Sequence, residues 1–241
     1  MGGALAKGWL KCARSGKADI AVTVTARTQK TLDAMKAAFP EVKTSLNNAE
    51  AVAEADVVVV AVKPWLVDEV MAPLADIVRD KMVISVAATA VNACIDVYAM
   101  PNIAAEYGEG MTFINKEASK TECMAKAAEL LGMVGKVKTV SQREFNAGNM
   151  LAGCGIAYVM RFIHAMMGGG VELGLYPADA QEIAMQAMTG AVAVLENSKM
   201  HPAAAIDKVT TPGGMTIKGL NELDNSGFNS AVVKCLKAGL K

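Results

Sequence analysis

The fold is decided by the stretch Val57-Val58-Val59-Val60-Ala61-Val62-Lys63-Pro64. An unbroken β-branched run without polar alternation is typical of a parallel strand that is buried on both faces. Lys63-Pro64 ends the run, because proline has no N–H with which to continue a sheet ladder. The sequence therefore predicts a buried parallel strand at this point of the chain.

Strands and helices alternate on both sides of this run. Residues 20–25 and 82–87 are predicted to be strands, and helical spacing joins the strands over residues 28–39, 48–55 and 65–79. A helix over residues 117–132 and a last strand over residues 136–140 end the region. Such alternation is typical of βαβ units in a doubly wound parallel sheet. We therefore predict a first domain of the α/β class, residues 1–140.

The pattern is helical from residue 141 to residue 241. One face repeats small and flexible side chains every three or four residues, namely Ala180, Ile183, Ala184, Ala187, Met188, Ala191, Val192 and Leu195. Small side chains on such a face let helices approach closely. Residues 151–175 are apolar on more than one face, so this helix needs partners all round it. We predict an all-α domain, residues 141–241, that forms a homodimer.

Charge and composition exclude several classes of protein. The chain has 24 Lys and Arg residues against 24 Asp and Glu residues, which removes the basic surface of a general nucleic-acid binder. The longest uncharged stretch, residues 145–160, falls short of a bilayer span. No export signal follows Met1-Gly2-Gly3, and the five cysteines are scattered. We therefore predict a cytoplasmic protein that binds neither nucleic acid nor a membrane.

The first candidate for ligand binding is Gly2-Gly3, directly before a predicted helix over residues 4–13. Glycines at such a point let backbone N–H groups and the helix N-terminus bind a pyrophosphate. A flexible terminus is the alternative. The strand and the first two glycines of a dinucleotide motif are missing before this point. We expect a sheet that lacks its first strand, with Met1 inside the phosphate-binding motif.

A second candidate follows the predicted strand over residues 20–25. Sites that prefer NAD usually place a carboxylate here, whereas the 2′-phosphate of NADP needs a cation and hydroxyl groups. The sequence has Ala26, Arg27 and Thr28, with Lys30 close by, and no carboxylate. This favours NADP if a dinucleotide binds. A solvated arginine beside a helix-capping threonine is the alternative.

Two further strand ends are candidates for cofactor contact. Ligands of open α/β sheets bind outside the carboxyl ends of strands, where small residues allow close approach. The segment Ala61-Val62-Lys63-Pro64 ends one such strand, and Ala87-Ala88 ends the next. The repetition on successive strands makes this edge of the sheet the predicted binding edge.

The most specific pattern is Thr210-Thr211-Pro212-Gly213-Gly214-Met215-Thr216-Ile217, which precedes helical spacing up to Gly227. Glycines and threonines before a helix expose N–H and hydroxyl donors where the helix dipole favours an anion. A small carboxylate would fit this chemistry. A structural loop with capping threonines is the alternative.

Candidates for acid, base or nucleophile are few. His164 lies among apolar neighbours on a predicted helix, His201 resembles a turn residue, and the cysteines lack a histidine partner. No spacing of acidic residues, His or Cys indicates a metal site. If the chain is an enzyme, we expect a cofactor to supply most of its chemistry.

In order and type, these segments resemble pyrroline-5-carboxylate reductase, the family that completes proline synthesis. The resemblance covers nearly the whole chain and rests on Met1-Gly2-Gly3-Ala4, Ala61-Val62-Lys63-Pro64, Ser85-Val86-Ala87-Ala88, Met100-Pro101-Asn102, Gly153-Cys154-Gly155-Ile156-Ala157-Tyr158, His201-Pro202, and the segment from Pro212 to Phe228. It implies an N-terminal Rossmann domain and a helical domain that interlocks in a homodimer, sometimes assembled into a ring of dimers. It also implies NADPH as the usual hydride donor, with NADH as an alternative.

The resemblance implies roles for individual residues. The cofactor contacts would be Gly2, Ala26, Arg27, Thr28, Asn48, Ala61, Val62, Lys63, Pro64, Ala87 and Ala88. The substrate carboxylate would lie on the turn formed by Gly213, Gly214, Met215 and Thr216. Thr216 would be the catalytic residue. The implied reaction transfers a hydride to the C=N carbon of 1-pyrroline-5-carboxylate and gives L-proline.

Several positions depart from the family pattern. Ile156 stands where the family has proline, Gln142 where it has glutamate, with Glu144 close by, and Lys208 where it has asparagine. Residues 90–98 are too few for a helix usually found there. Two alternatives therefore stay open. One is a related two-domain reductase of another small carboxylate, and the other is a non-catalytic dimerisation protein with a defective nucleotide pocket.

Overall fold

The computed structural model describes residues 1–87 and 90–240. They form two compact units, Met1–Gly153 and Cys154–Lys241. The sequence places its domain boundary earlier, after residue 140. The residues between the two positions form a short helix whose Gly148 packs directly on the ring of Phe113 in the first unit, where an added Cβ would lie 2.7 Å from the ring.

Helices and strands alternate along the first unit, as the α/β prediction requires. Their bounds are α1 (Gly2–Arg14), β1 (Thr23–Thr25), α2 (Gln29–Ala38), β2 (Lys43–Ser45), α3 (Asn48–Ala53), β3 (Val57–Val60), α4 (Val67–Met71), β4 (Met82–Ser85), β5 (Val97–Met100), β6 (Gly110–Asn115), α5 (Thr121–Gly132), β7 (Gly135–Val140) and α6 (Gln142–Gly148). Short 3₁₀ turns cover Pro64–Leu66, Ala72–Leu74 and Ile103–Tyr107, and a π-helix covers Asn149–Cys154. The predicted α/β class is confirmed.

The strands form two separate sheets in the described residues. Strand β1 pairs in parallel with β2, with Val24 opposite Thr44. The larger sheet has the order β3-β4-β5-β6-β7. Its strands β3, β4 and β5 are parallel, β6 is antiparallel to β5, and β7 is parallel to β6. The unit is therefore a Rossmann-like parallel sheet with one antiparallel junction.

That junction was not predicted from the sequence pattern, which misses both β5 and β6. The connection between them is the 3₁₀ turn Ile103–Tyr107, and a link this short can join antiparallel strands but not a parallel pair. The buried Asn102 stabilises the connection. Its Oδ1 accepts hydrogen bonds from the N–H groups of Ala104 at 3.2 Å and Met111 at 3.4 Å.

The predicted helix over residues 65–79 is wrong in extent. Helix α4 has only five residues, Val67–Met71, and a 3₁₀ turn lies on either side of it. Pro73 lies in the second of these turns. Proline removes an intrahelical hydrogen bond and its ring clashes with the preceding turn, so a continuous helix cannot pass through this position.

The hydrophobic core lies on both faces of the larger sheet. On one face, Leu5 and Trp9 of α1 pack with Ile84 of β4. On the other face, Met71 of α4 packs with Val83 of β4. The two adjacent residues of β4 reach different clusters because successive side chains of a strand point to opposite faces.

Strand β3 is less buried than the sequence predicts. Val60 is buried, but Val57, Val58 and Val59 are only half-buried. Within the described residues β3 pairs with β4 alone, and a cavity lies along its other side. The apolar run is therefore covered on its faces but open along one edge.

The second unit is helical, with α7 (Gly155–Glu172), α8 (Pro177–Ser198), α9 (Pro202–Lys208), α10 (Met215–Asn225) and α11 (Phe228–Ala238). The predicted close approach of helices through small residues is confirmed. A Cβ added at Gly170 of α7 would lie only 3.2 Å from the Cβ of Ala180 in α8. Across residues 154–240, Ala180 and Ala184 are the only buried hydrophobic side chains.

Among the described residues, one helical stretch, Gln142–Glu172, is long and apolar enough to cross a membrane by length and composition alone, with a mean hydropathy of 1.4 over its most apolar window. The uncharged stretch of residues 145–160 is shorter than a bilayer span, as the sequence shows, and the helical stretch is longer because it continues through Arg161. None of the apolar window is buried. Length and composition do not distinguish a membrane span from a helix that packs against another protein surface.

Candidate active site

Helix α1 begins beside the carboxyl end of β3. A Cβ added at Gly2 would lie 2.8 Å from the Cβ of Ala61, so the close approach of these two elements requires glycine. No side chain caps α1 and its first turn contains no acidic residue. The backbone N–H groups at the start of a helix have no intrahelical partner and favour an anion. The end of β3 and the start of α1 therefore form a possible phosphate site.

The end of β1 carries a cation and hydroxyl groups, as predicted. Arg27 is exposed and makes no hydrogen bond or ion pair within the described part of the chain. Thr28 occupies the N-cap position of α2, but its hydroxyl pairs with the Thr31 hydroxyl at 2.9 Å and caps no backbone N–H. The predicted helix-capping role of the Thr28 side chain is therefore wrong. The first turn of α2 contains no acidic residue.

Asn48 lies at the start of α3, half-buried and without a hydrogen-bonded partner in the described residues. Its neighbour Asn47 is the N-cap residue, with Oδ1 accepting from the N–H of Ala49 at 3.0 Å. Because Asn47 satisfies the helix end, the amide of Asn48 is available for a ligand. The sequence analysis did not predict that Asn47 caps the helix and leaves the Asn48 side chain unpaired. Two adjacent asparagines where a helix begins were the available signal.

The ends of β3 and β4 differ in exposure. Ala61, Val62 and Pro64 are half-buried, and the Lys63 ammonium lies 5.9 Å from the centre of the Trp65 ring. Ala87 is buried, and its N–H donates to the Ser85 hydroxyl at 3.2 Å. Ala88 lies outside the described residues.

The structure brings part of the predicted cofactor set together. One cavity of about 740 Å³ is lined by Gly2, Asn48, Ala61 and Val62. Ala26, Arg27, Thr28, Lys63, Pro64 and Ala87 do not line it. Free N–H groups at α1, an unpaired amide and an unpaired arginine fit the phosphates and ribose of a dinucleotide, and the absence of a carboxylate after β1 fits a 2′-phosphate.

The glycine-threonine turn of the second unit lies directly before α10. Gly213 has a φ of +70°, a left-handed conformation that favours glycine. Gly214 is the N-cap residue, with its N–H donating to the Thr211 carbonyl at 3.0 Å. No side chain caps the helix, and Met215 at its first position is 91% exposed. The N–H groups at this helix end and the Thr216 hydroxyl are thus exposed donors for a small carboxylate.

Gln142 and Glu144, the two polar residues singled out near the start of α6, have different surroundings. Gln142, where the family pattern has glutamate, accepts a hydrogen bond from Asn115 Nδ2 at 2.6 Å and donates from Nε2 to Asn146 at 3.0 Å. Glu144 forms a capping box with Ser141. Hydrogen bonds from the side chain and backbone of Ser141 hold the pKa of Glu144 below its usual value. Glu144 is therefore a structural carboxylate and is unsuited to act as a general acid.

A polar cluster that the sequence analysis missed lies between α7 and α11. Hydrogen bonding to the Cys235 thiol is the largest cause that raises the pKa of the Tyr158 hydroxyl, and Cys154 acts in the same direction. The spacing of Cys154 and Tyr158, four residues apart, could have predicted that these two side chains are neighbours on a helix. Their contact with Cys235 could not be predicted, because it depends on the tertiary packing of α11.

The two histidines have different places in the described residues. His201 caps α9, its Nδ1 accepting from the N–H of Ala203 at 3.3 Å, and His164 is exposed on α7. Across residues 1–87 and 90–240, no three His, Cys, Asp or Glu side chains lie close enough to hold a metal ion.

Two family models match the chain. A model described as pyrroline-5-carboxylate reductase dimerisation matches residues 142–241, and a model described as NADP oxidoreductase, coenzyme F420-dependent, matches residues 1–89. A pyrroline-5-carboxylate reductase of Synechocystis sp. is 36% identical over 211 residues, which cover 83% of this chain and 79% of that relative.

Solved structures show the same similarity. A pyrroline-5-carboxylate reductase from Coxiella burnetii has a TM-score of 0.84 at 26% identity, over 98% of this chain and 93% of that one. The Plasmodium falciparum pyrroline carboxylate reductase with NADP bound has a TM-score of 0.82, over 98% of this chain and 90% of that one, and at 22% identity it shows the fold alone. With a relative above 30% identity over most of both chains, this chain belongs to the pyrroline-5-carboxylate reductase family.

Proposed function

We propose that this protein reduces 1-pyrroline-5-carboxylate to L-proline with NADPH, the last step of proline biosynthesis. The observation that carries the proposal is the uncapped start of α10, where Gly214 leads into exposed backbone donors and the Thr216 hydroxyl. Backbone donors at a helix start suit the carboxylate of the substrate. Membership of the family, whose named relatives are pyrroline-5-carboxylate reductases, supports the same reaction.

The first unit would hold the dinucleotide. We propose that the N-terminus of α1 at Gly2 binds the pyrophosphate, that Ala26, Arg27 and Thr28 surround the 2′-phosphate, and that Asn48 contacts the adenosine end. The segment Ala61-Val62-Lys63-Pro64 and the pair Ala87-Ala88 would lie along the rest of the molecule. When bound, NADPH supplies the hydride that the C=N carbon receives.

The second unit would hold the substrate. The N–H groups of the Gly213-Gly214-Met215-Thr216 turn bind the carboxylate and so fix the position of the ring. The Thr216 hydroxyl donates a hydrogen bond to the ring nitrogen or to a water that protonates it. Because a protonated imine is already electrophilic, we propose that the chain contributes orientation and this hydrogen bond, without a strong acid.

The test is NADPH oxidation by the purified protein with and without added 1-pyrroline-5-carboxylate. We expect oxidation that depends on this substrate and yields proline, detected by chromatography. Oxidation with other cyclic imines or keto acids in its place would favour a related reductase of another carboxylate. No binding of NADPH in a fluorescence titration would favour the non-catalytic alternative.

Arg27 provides a test of cofactor choice. We expect Arg27→Ala to raise the KM for NADPH about tenfold, the cost of losing one charge-assisted hydrogen bond to phosphate, and to leave the KM for NADH unchanged. Steady-state kinetics with both cofactors measure the effect. Arg79→Ala is the matched control, because Arg79 is exposed and its ion-pair partner in the described residues is Asp76, three positions earlier in a turn. Equal losses with NADPH and NADH would contradict the assignment.

We also propose that residues 154–241 form a homodimer in the cytoplasm. Large apolar side chains are exposed along this unit, among them Val192 at 55%, Ile183 at 54% and Leu173 at 88%. Such a surface favours a protein partner, and the matching model is described as a dimerisation domain. Five free thiols suit a reducing compartment.

Val192→Glu provides a test of self-association. We expect a charge at this apolar position to weaken the dimer at least about 100-fold, because the carboxylate would be desolvated without a partner. Analytical ultracentrifugation at micromolar concentration measures the change and also distinguishes a dimer from a ring of dimers. Gln186→Glu is the matched control, because it adds the same charge at an exposed polar position of α8. A wild-type protein that sediments as a monomer would contradict the proposal.

A further inference from the structure

Two cysteines of the helical unit lie on helix faces that meet. The rings of Phe162 in α7 and Phe228 in α11 are in contact, with 5.6 Å between their centres. Cys154 and Tyr158 lie on the same side of α7 as Phe162, because residues four apart share a helix face. Cys235 follows Phe228 by seven residues, about two helical turns, and therefore lies on the same face of α11.

The two cysteines also lie at nearly the same height along this pair of helices. The Tyr158 hydroxyl is hydrogen-bonded to the Cys235 thiol and to the Cys154 thiol. Tyr158 precedes Phe162 whereas Cys235 follows Phe228, so the two helices run antiparallel. At about 1.5 Å per residue, Cys154 lies about 12 Å from Phe162 and Cys235 about 10.5 Å from Phe228 along the helix axes. Cys154 and Cys235 are therefore opposite each other, on either side of one hydroxyl group.

Helix α11 is held in a way that allows the thiols to approach. Both cysteines are half-buried and neither is in a disulfide. A disulfide brings its two sulfur atoms to about 2 Å, closer than two thiols that share a hydrogen-bonded hydroxyl, so α11 must move toward α7. No side chain of α11 is buried, and the helix follows Gly227, which has a φ of +77°. Such a movement disrupts no buried core.

We propose that Cys154 and Cys235 form an oxidation site, which hydrogen peroxide converts into a disulfide within one chain. In the first step one thiolate attacks a peroxide oxygen, the O–O bond breaks, and hydroxide leaves behind a sulfenic acid. In the second step the other thiolate attacks the sulfenic sulfur, the S–S bond forms, and the S–O bond breaks to release hydroxide. The two sulfur atoms lose two electrons to the peroxide, and the two thiol protons complete two water molecules.

The disulfide would join the beginning of the helical unit to its last helix. The chain between the two cysteines contains α8, α9 and α10, and with them the proposed substrate turn. A cross-link across so long a loop restricts the unfolded chain and stabilises the folded one. The oxidised helical unit should therefore be more stable than the reduced unit.

The experiment treats the 241-residue chain with a small molar excess of hydrogen peroxide, blocks the remaining thiols with N-ethylmaleimide and digests the protein with trypsin. We expect mass spectrometry to find the fragment of residues 144–161 joined to the fragment of residues 235–237. Dithiothreitol should separate them, and the oxidised protein should migrate as a single chain on a non-reducing gel. Alkylation of both cysteines, a link between two chains, or a link to one of the other three cysteines instead would overturn the proposal.

Single variants test the two steps separately. With Cys154→Ser and Cys235→Ser the second step is blocked, so we expect dimedone to label the remaining thiol as a sulfenic acid in at least one of them. Absence of label in both variants would overturn the proposed route. Cys94→Ser is the matched control, because it removes a half-buried thiol of the first unit and should leave the joined fragments unchanged.

Thermal unfolding tests the proposed consequence of oxidation. We expect peroxide to raise the melting temperature of the wild type by at least about 5 °C and to leave that of Cys235→Ser unchanged. Dithiothreitol should reverse the increase. Equal changes in the wild type and in Cys235→Ser would overturn the stabilising role of the disulfide.

Discussion

Replacing Gly214 by alanine is expected to lower kcat/KM for 1-pyrroline-5-carboxylate by about 100-fold, the cost of losing two or more backbone contacts to the carboxylate. A Cβ at this position would lie 3.0 Å from the Thr211 carbonyl oxygen and closer still to the Thr211 hydroxyl. The turn must therefore shift, and the N–H groups of Met215 and Thr216 shift with it. The dissociation constant of NADPH should stay unchanged, because the proposed cofactor residues lie in the other unit.

Gly219→Ala is the matched control for this variant. Gly219 lies in the same helix, and an added Cβ there meets nothing within 4 Å, so alanine should preserve activity and stabilise α10. Thr211→Ala combined with Gly214→Ala removes the nearer of the two clashing atoms and should restore part of kcat/KM. Full activity of Gly214→Ala alone would show that the turn does not hold the substrate.

Replacing Thr216 by alanine is expected to lower kcat about 100-fold, because the loss of one positioned proton donor has an effect of about this size. The dissociation constant of NADPH should change little. The hydroxyl is exposed at the second position of α10, where its backbone N–H is also free of a side-chain cap. If it bonds the ring nitrogen mainly while the hydride is transferred, KM should rise less than kcat falls. Stopped-flow measurement of NADPH oxidation separates this step from product release.

Thr216→Ser should retain most of the activity because it keeps the hydroxyl. Thr189→Ala makes the same chemical change on α8, where the hydroxyl donates to the Met185 carbonyl at 3.0 Å, and should leave kcat unaltered. An unchanged kcat for Thr216→Ala would assign proton delivery to another group. Tyr158 would then be the next residue to replace, since its hydroxyl is held in the same unit by Cys235.

The periodic parts of the fold could be predicted from the sequence. The valine run of β3 and the apolar spacing of α1, α2 and α5 depend on local pattern, and each element forms near its predicted position. Strands β5 and β6 could not be predicted because they are short and their pairing depends on the turn after Asn102. The predicted length of α4 was wrong for a local reason. The prediction followed the apolar spacing and did not take account of Pro73, which ends the helix.

The candidate site was predictable where backbone chemistry defines it. Glycines at the start of a helix indicate exposed N–H groups regardless of the tertiary fold, and Gly2 begins α1 while Gly214 precedes α10, both without a side-chain cap. Side-chain partners were less predictable, because they depend on packing between distant segments. The pairing of the Thr28 hydroxyl with Thr31 and the bond from Asn115 to Gln142 are examples.

The distribution of buried side chains has a consequence for how the protein folds. Residues 154–240 bury only Ala180 and Ala184 among their hydrophobic side chains, whereas the first unit has three clusters of its own. A unit without a core gains most of its stability from association, so its folded population obeys mass action. Dilution should therefore act on the helical unit as a denaturant does.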